Sequence, residues 1–355
     1  MGQRKRNSNL ELLRIISMFM IVFIHANMYL PQFCEGNTRL FFNGVVNGIC
    51  NIGVTCFILR SGYFGLNFNL RKLLKMECMM ITLSFIETVI LCLLMPQEMQ
   101  GMVFIKQMIK SCFPVITRKY WFYSCYICLF CFSGYLNKFT ELLDRKAYKK
   151  LLGILFLFFS ILPTIFYFEI MQDHGKGLVQ MVFIYILGRY LGKYEIKIAN
   201  KKRGALLFLG LWILNGISHE FPVQLGGIYH HLCKDNSVTN IGMAVLLFLL
   251  VKEWSLGSSG MNRLAGSIFA IFALNNSVIR GVIFLLENTG KLPISGGNGF
   301  GILVILVIGV MIVCSVIGIV RELVFGRTER WVIDRICSGC EQGKEFYDKC
   351  KKKYL

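Results

Sequence analysis

The sequence predicts an all-α fold: a polytopic membrane bundle of about ten transmembrane helices with both termini in the cytoplasm. Three observations carry that prediction. The 355 residues are 55% hydrophobic, with a mean hydropathy of +0.57, more than a water-facing surface of this size would carry. The apolar residues gather into ten runs close to the 20 residues a helix needs to cross the hydrocarbon core. Finally, Lys and Arg collect in alternate connections. Placed with the amino terminus inside, the inner segments hold 27 of the 39 Lys and Arg and the outer loops hold 8. That is the bias expected of cytoplasmic loops. The excess over 20 Asp and Glu therefore needs no nucleic-acid partner.

Taken in order, the first run (10–30) is apolar but carries Arg14 and His25 in "NLELLRIISMFMIVFIHAN". It follows "RKR" as a signal peptide would, but it contains Arg14 and ends without a small-x-small cleavage site, so it is read as a retained helix. The second (41–62) ends in "CFILRSGYFG", where Gly62 and Gly65 are expected to turn the chain out of the span. The third (76–95) follows the basic "LRKLLK". The fourth (120–136) opens on Tyr120, Trp121 and Tyr123, an aromatic belt at the outer interface or a platform for a sugar. The fifth (151–168) follows "RKAYKK", and the sixth (178–194) contains "IYILGRYLGKY". The seventh (205–219) and eighth (238–251) are short, so nine or ten spans fit. The ninth (264–286) and tenth (300–323) complete the membrane domain, residues 1–326. Residues 327–355 form a short basic cytoplasmic tail that can touch anionic lipid headgroups.

No metal site is expected. Most of the 14 cysteines lie inside apolar runs as small hydrophobes. Cys337, Cys340 and Cys350 lack a fourth ligand nearby, and the adjacent side chains of His230 and His231 splay apart.

Arg14 and His25 are the residues a membrane helix should not hold. Eleven positions at 100° each turn the helix only about 20° beyond three full turns, so both lie on one face, about 16 Å apart. Glu11 falls on the same face and can pair with Arg14. Each alone has a bland reading, Arg14 snorkelling and His25 at the interface. Together they point to a polar cavity inside the bundle, because charge facing lipid is costly. Neutral imidazole can take a proton from a hydroxyl, and guanidinium fits phosphate or carboxylate.

Arginine, ten residues, then histidine in "LELLRIISMFMIVFIHA", followed by "CFILRSGYFG", "YWFYSCYICLFCFSGYLNK" and "IYILGRYLGKY", resembles the acyltransferase-3 family of membrane O-acyltransferases. The resemblance covers nearly the whole chain. It implies transfer of a small acyl group, acetyl first, from cytoplasmic acyl-CoA to a hydroxyl of a cell-surface glycan or its lipid-linked precursor. No bound cofactor is implied, and the setting is the cell membrane. It also implies His25 as catalytic base, with Arg14 orienting it or binding the donor. Arg71, Lys72 and Lys75, which stand where relatives carry an Arg-x-x-Arg pair, would attract CoA phosphates, although positive-inside charge explains them equally. Tyr120, Trp121 and Asn275 are the acceptor-side candidates. Two departures stand out. Asn275, in "SIFAIFALNN", takes the place of a histidine, and Arg60 precedes Ser-Gly-Tyr-Phe in place of an apolar residue. They leave open a catalytically inactive relative, and the residues alone also leave open a transporter or exporter of a polysaccharide precursor.

Overall fold

A computed structural model describes residues 8–220, 231–254, 267–290 and 299–354, with side chains on the last helix described through residue 342. The described residues form helices joined by irregular connections, with no strand among them. The helices are α1 (Ser8–Asn27), α2 (Gly36–Cys50), α3 (Gly53–Phe64), α4 (Leu70–Leu94), α5 (Gly101–Cys112), α6 (Trp121–Leu142), α7 (Arg145–Ile165), α8 (Leu178–Lys193), α9 (Lys201–Glu220), α10 (Val238–Lys252), α11 (Ile268–Asn288) and α12 (Gly299–Tyr354). Each of the ten predicted runs falls on a helix, although residues 264–266 of the ninth lie outside the described residues. Among the described residues, six helical stretches are long and apolar enough to cross a membrane: α1, α2 with α3, α4, α7, α11 and α12. The protein is a multi-pass membrane protein.

Side chains mark where several helices begin. Asn69 accepts from the backbone N–H of Lys72 (3.1 Å), Asp144 from Ala147 (2.7 Å) and Ser237 from Asn240 (3.1 Å), each satisfying a donor the helix itself cannot. The second predicted span is interrupted at Asn51–Ile52, where α2 gives way to α3. α5 was not expected from the sequence. Its 12 residues are too short to cross, and it exposes Met102, Val103, Phe104, Ile105 and Ile109 alongside Lys106 and Lys110, the composition of a helix lying at an interface.

α1 sits in the middle of the bundle, with α2, α3, α10, α11 and α12 packed against it. A helix so enclosed can hold polar side chains away from lipid. α12 has 56 residues and, at 1.5 Å each, is about 84 Å long, far more than a bilayer core. It runs unbroken through Gly326, so the basic tail continues the last helix. Arg71 of α4 pairs with Asp334 there, Thr82 donates to Glu329 (2.8 Å), and buried Arg321 pairs with Glu322 (3.0 Å) and Glu329.

The glycines of the second span divide their work. Gly65 has φ +76°, a conformation costly to side chains, and it turns the chain. Gly62 is a packing residue: a methyl there would strike the Tyr185 carbonyl, and one at Gly188 would strike the Leu59 carbonyl. α3 and α8 therefore cross backbone to backbone, as small residues permit in membranes. Gly188→Ala is expected to cost about 1–3 kcal/mol by overpacking. Gly134→Ala, where nothing lies within 4 Å, should cost nothing. Thermal unfolding of the purified variants compares the two, and equal melting temperatures would contradict the tight crossing.

Candidate active site

His25 lies near the end of α1, and its Nδ1 stands 2.5 Å from Asn275 Oδ1 of α11. The other end of that amide settles the chemistry. Asn275 Nδ2 donates to the backbone carbonyls of Ile271 (2.9 Å) and Phe272 (2.8 Å). Two carbonyls can only accept, so the nitrogen belongs there and Oδ1 faces the histidine. His25 Nδ1 must then carry the proton and donate it to Asn275. In the neutral ring this leaves Nε2 with its lone pair, the tautomer a general base needs. Asn275 itself is fully buried, which holds the ring in one orientation.

His25 lines a cavity of about 100 Å³ whose wall also includes Asn51, Trp121, Phe272, Lys176 and Asp235. Such a space holds a few waters or a small acyl group. The break between α2 and α3 brings Asn51 to this wall, where its Nδ2 donates to the Cys233 carbonyl (3.1 Å). Lys176 and Asp235 arrive from the connections before α8 and before α10. Burial pushes the Asp235 carboxyl up to about 6, against the pull of Lys176. The folded chain thus holds that proton to higher pH than the unfolded chain does. Stability is expected to fall by up to about 3 kcal/mol as pH rises from about 4 to about 6. Asp235→Asn should remove that slope in melts taken across the same pH range, and an identical slope in the variant would refute the assignment.

A second cluster occupies the other end of α1. Glu11 and Arg14 pair as the sequence suggests, with Arg14 Nη1 3.7 Å from Glu11 Oε2. Arg60 of α3 joins them, pairing with Glu11 Oε1 and donating from Nε to the Leu10 carbonyl (2.9 Å). The guanidinium groups also lie over Phe57 (Arg14, 5.7 Å) and Phe64 (Arg60, 5.2 Å). The odd arginine of the second span is thus the partner that Glu11 engages most closely. Arg14 does not orient His25; Asn275 does, and the two ends of α1 serve separate clusters.

The other predicted residues divide. Arg71, Lys72 and Lys75 are exposed at the start of α4, with Arg71 engaged by Asp334. No hydrogen bond or ion pair joins them to Arg14 among the described residues. Trp121 faces the histidine cavity, but its neighbour Tyr120 does not: the Tyr120 hydroxyl donates to Glu87 Oε2 (2.5 Å). Lys119 pairs with the same oxygen (2.8 Å), and Ser277 donates to Oε1 (2.5 Å). Tyr120 is therefore spent on a buried carboxylate of α4, because an unpaired carboxylate at that depth would be prohibitive. Asn275 likewise belongs to the histidine and not to the acceptor side. Asn51, Lys176, Asp235 and Glu87 escape sequence reading, since each is an isolated polar residue with no motif around it. His230 and the side chains of His231 and Cys350 lie outside the described residues.

Comparison with known proteins bears on what this arrangement serves. No curated protein and no solved structure matches the chain. The model of the acyltransferase-3 family, described as an acyltransferase domain, matches residues 7–319, a stretch that includes α1, the Arg60 and Asn275 positions and every residue of the histidine cavity. The chain belongs to the acyltransferase-3 family.

Proposed function

We propose that this protein is a ten-span O-acyltransferase of the cell membrane, with both termini cytoplasmic. It moves a small acyl group, acetyl first, from cytoplasmic acyl-CoA to a hydroxyl of a cell-surface glycan or its lipid-linked precursor. The observation that carries the reading is the His25–Asn275 bond beside a cavity walled by Trp121, Asn51, Lys176 and Asp235. A histidine held in its Nδ1–H tautomer at such a wall has the form of a general base.

In the reaction, the acceptor hydroxyl gives its proton to His25 Nε2 as its oxygen attacks the acyl carbonyl carbon. The new C–O bond forms, the thioester C–S bond breaks, and the proton passes from His25 to the departing thiolate. The products are an O-ester and free CoA, so atoms and charge balance without a metal. Trp121 offers an aromatic face to the acceptor sugar. Arg14, freed in part because Arg60 also neutralises Glu11, is the cation available to the donor. Arg71, Lys72 and Lys75 attract the donor's phosphates from the cytoplasm.

The inactive-relative reading rests on Asn275 and Arg60; the bond to His25 gives the asparagine a use beside the base, and Arg60 pairs with Glu11. The test is chain-dependent acyl transfer. Radiolabelled acetyl-CoA is supplied to the cytoplasmic face of membrane vesicles made with and without the protein, and surface glycan is counted. Label that requires both the protein and the thioester supports the enzyme. The absence of protein-dependent label with acetyl-, propionyl- and succinyl-CoA alike would sink it.

A further inference from the structure

Asn43 and Asn47 of α2 and Asn51, the residue that caps its end, fall in one i, i+4 row. At its outer end the row meets a knot of polar side chains. Asn43 Nδ2 donates to Glu220 Oε1 of α9 (2.6 Å), and Asn43 Oδ1 accepts from Asn27 (2.7 Å) and from Asn47 (2.9 Å). His219 lies 2.9 Å from the same Glu220 oxygen. Asn27 is 6% exposed, and its Oδ1 accepts no hydrogen bond among the described residues. At its inner end the row reaches Asn51 in the wall of the His25 cavity.

Beside the polar knot, α2 and α9 enclose a groove of about 440 Å³ lined by Leu40, Val45, Trp212, Ile213 and Ile217, with Glu220 at one end. Ile213 and Ile217 are more than half exposed, so the groove opens sideways where a lipid tail can enter. An apolar trough, a carboxylate with amide groups at its end and an asparagine row leading onward to a base together describe a ligand. It has an apolar tail and a neutral head rich in hydroxyls. A phospholipid fits the trough but brings its phosphate against Glu220, an unfavourable pairing.

We infer that the groove between α2 and α9 holds the tail of a lipid-linked saccharide and that Asn43, Asn47 and Asn51 guide its sugar from Glu220 to His25. The Asn27 oxygen, which accepts nothing among the described residues, is an acceptor that a sugar hydroxyl satisfies, and a buried unmet acceptor is costly. This rests on the acyltransferase reading and narrows it: the acceptor reaches the enzyme from the plane of the membrane, not from free solution.

The test uses the full chain in lipid nanodiscs with two photoreactive probes, a hexosyl diacylglycerol and a phosphatidylglycerol carrying the same diazirine in one acyl chain. The hexosyl probe is expected to label α2 and α9 peptides about tenfold more than the phosphatidylglycerol probe, a difference of about 1.4 kcal/mol in binding. Ile213→Trp fills the trough at a lipid-facing position and should abolish that preference. Leu206→Trp, exposed on the same helix but outside the groove, should leave it intact. Equal labelling by the two probes, or a preference that survives Ile213→Trp, overturns the inference. Photolabelling needs no chemistry at His25. A preference seen in a chain that transfers no acyl group would uphold the groove and discard the acyltransferase, so the two failures separate.

Discussion

His25→Ala is expected to lower acyl transfer by about 10²–10⁴-fold, the usual worth of a general base, with the protein still folded and the donor still bound. The reason lies in the geometry at the end of α1. Asn275 can only accept from the ring, so the ring presents Nε2 as the basic nitrogen. Asn275→Leu removes that constraint without removing the base. It should reduce kcat by about 10²-fold, the lower end of the same range, and leave KM for the acceptor nearly unchanged. Asn275→Asp keeps an acceptor oxygen toward His25 and should retain more activity than the leucine variant. Because the two residues act as one unit, the double variant His25→Ala, Asn275→Leu should be no slower than His25→Ala alone. Initial rates at saturating and limiting acceptor decide the matter. A rise in KM with kcat intact, or strictly additive losses, would place Asn275 outside the base's support.

The second large effect concerns stability. Glu11 stands between Arg14 and Arg60 with all three side chains less than a fifth exposed. Glu11→Leu leaves two guanidinium groups facing each other without their shared carboxylate, and breaking a buried pair in this way costs about 3–5 kcal/mol. The variant should accumulate poorly and melt well below the native chain. Arg60→Leu leaves Glu11 with Arg14 and should cost distinctly less. Adding Arg60→Leu to Glu11→Leu should recover part of the loss, because it removes one uncompensated charge. If Glu11→Leu cost under about 1 kcal/mol, the cluster would be no more than a solvated surface pair. Measured melting temperatures in one detergent separate these outcomes.

Much of this was legible before any coordinates, and for a physical reason. A membrane span announces itself through twenty apolar residues, so the helices around Leu83, Phe130 or Ile279 could be placed from composition alone. The charge bias of the loops is equally linear. The Arg14–Glu11 pair was legible because helical spacing puts residues three apart on one face. The pairing of Glu11 with Arg60 was not, because it joins positions 49 residues apart on different helices. Arg60 looked like an anomaly in its motif until α3 was packed against α1.

The acceptor side shows the same division. Tyr120 and Trp121 are neighbours in sequence, and nothing local tells them apart. Only the packing of α4 and α11 sends the first to Glu87 and leaves the second at the cavity. Asn275 reads from sequence as a lost histidine and from structure as the residue that orients a different one. By itself, the sequence determined an all-helical membrane protein, a first helix with a basic and an imidazole group on one face, and the family to which it belongs. These follow from hydropathy, helical period and motif, all properties of neighbouring residues. The tertiary structure alone decided which polar groups meet: His25 with Asn275, Glu11 with Arg60, Tyr120 with Glu87, and the asparagine row with Glu220. Inside a bilayer each polar group must find its partner within the protein, and that partner is chosen by the packing of helices far apart in the chain.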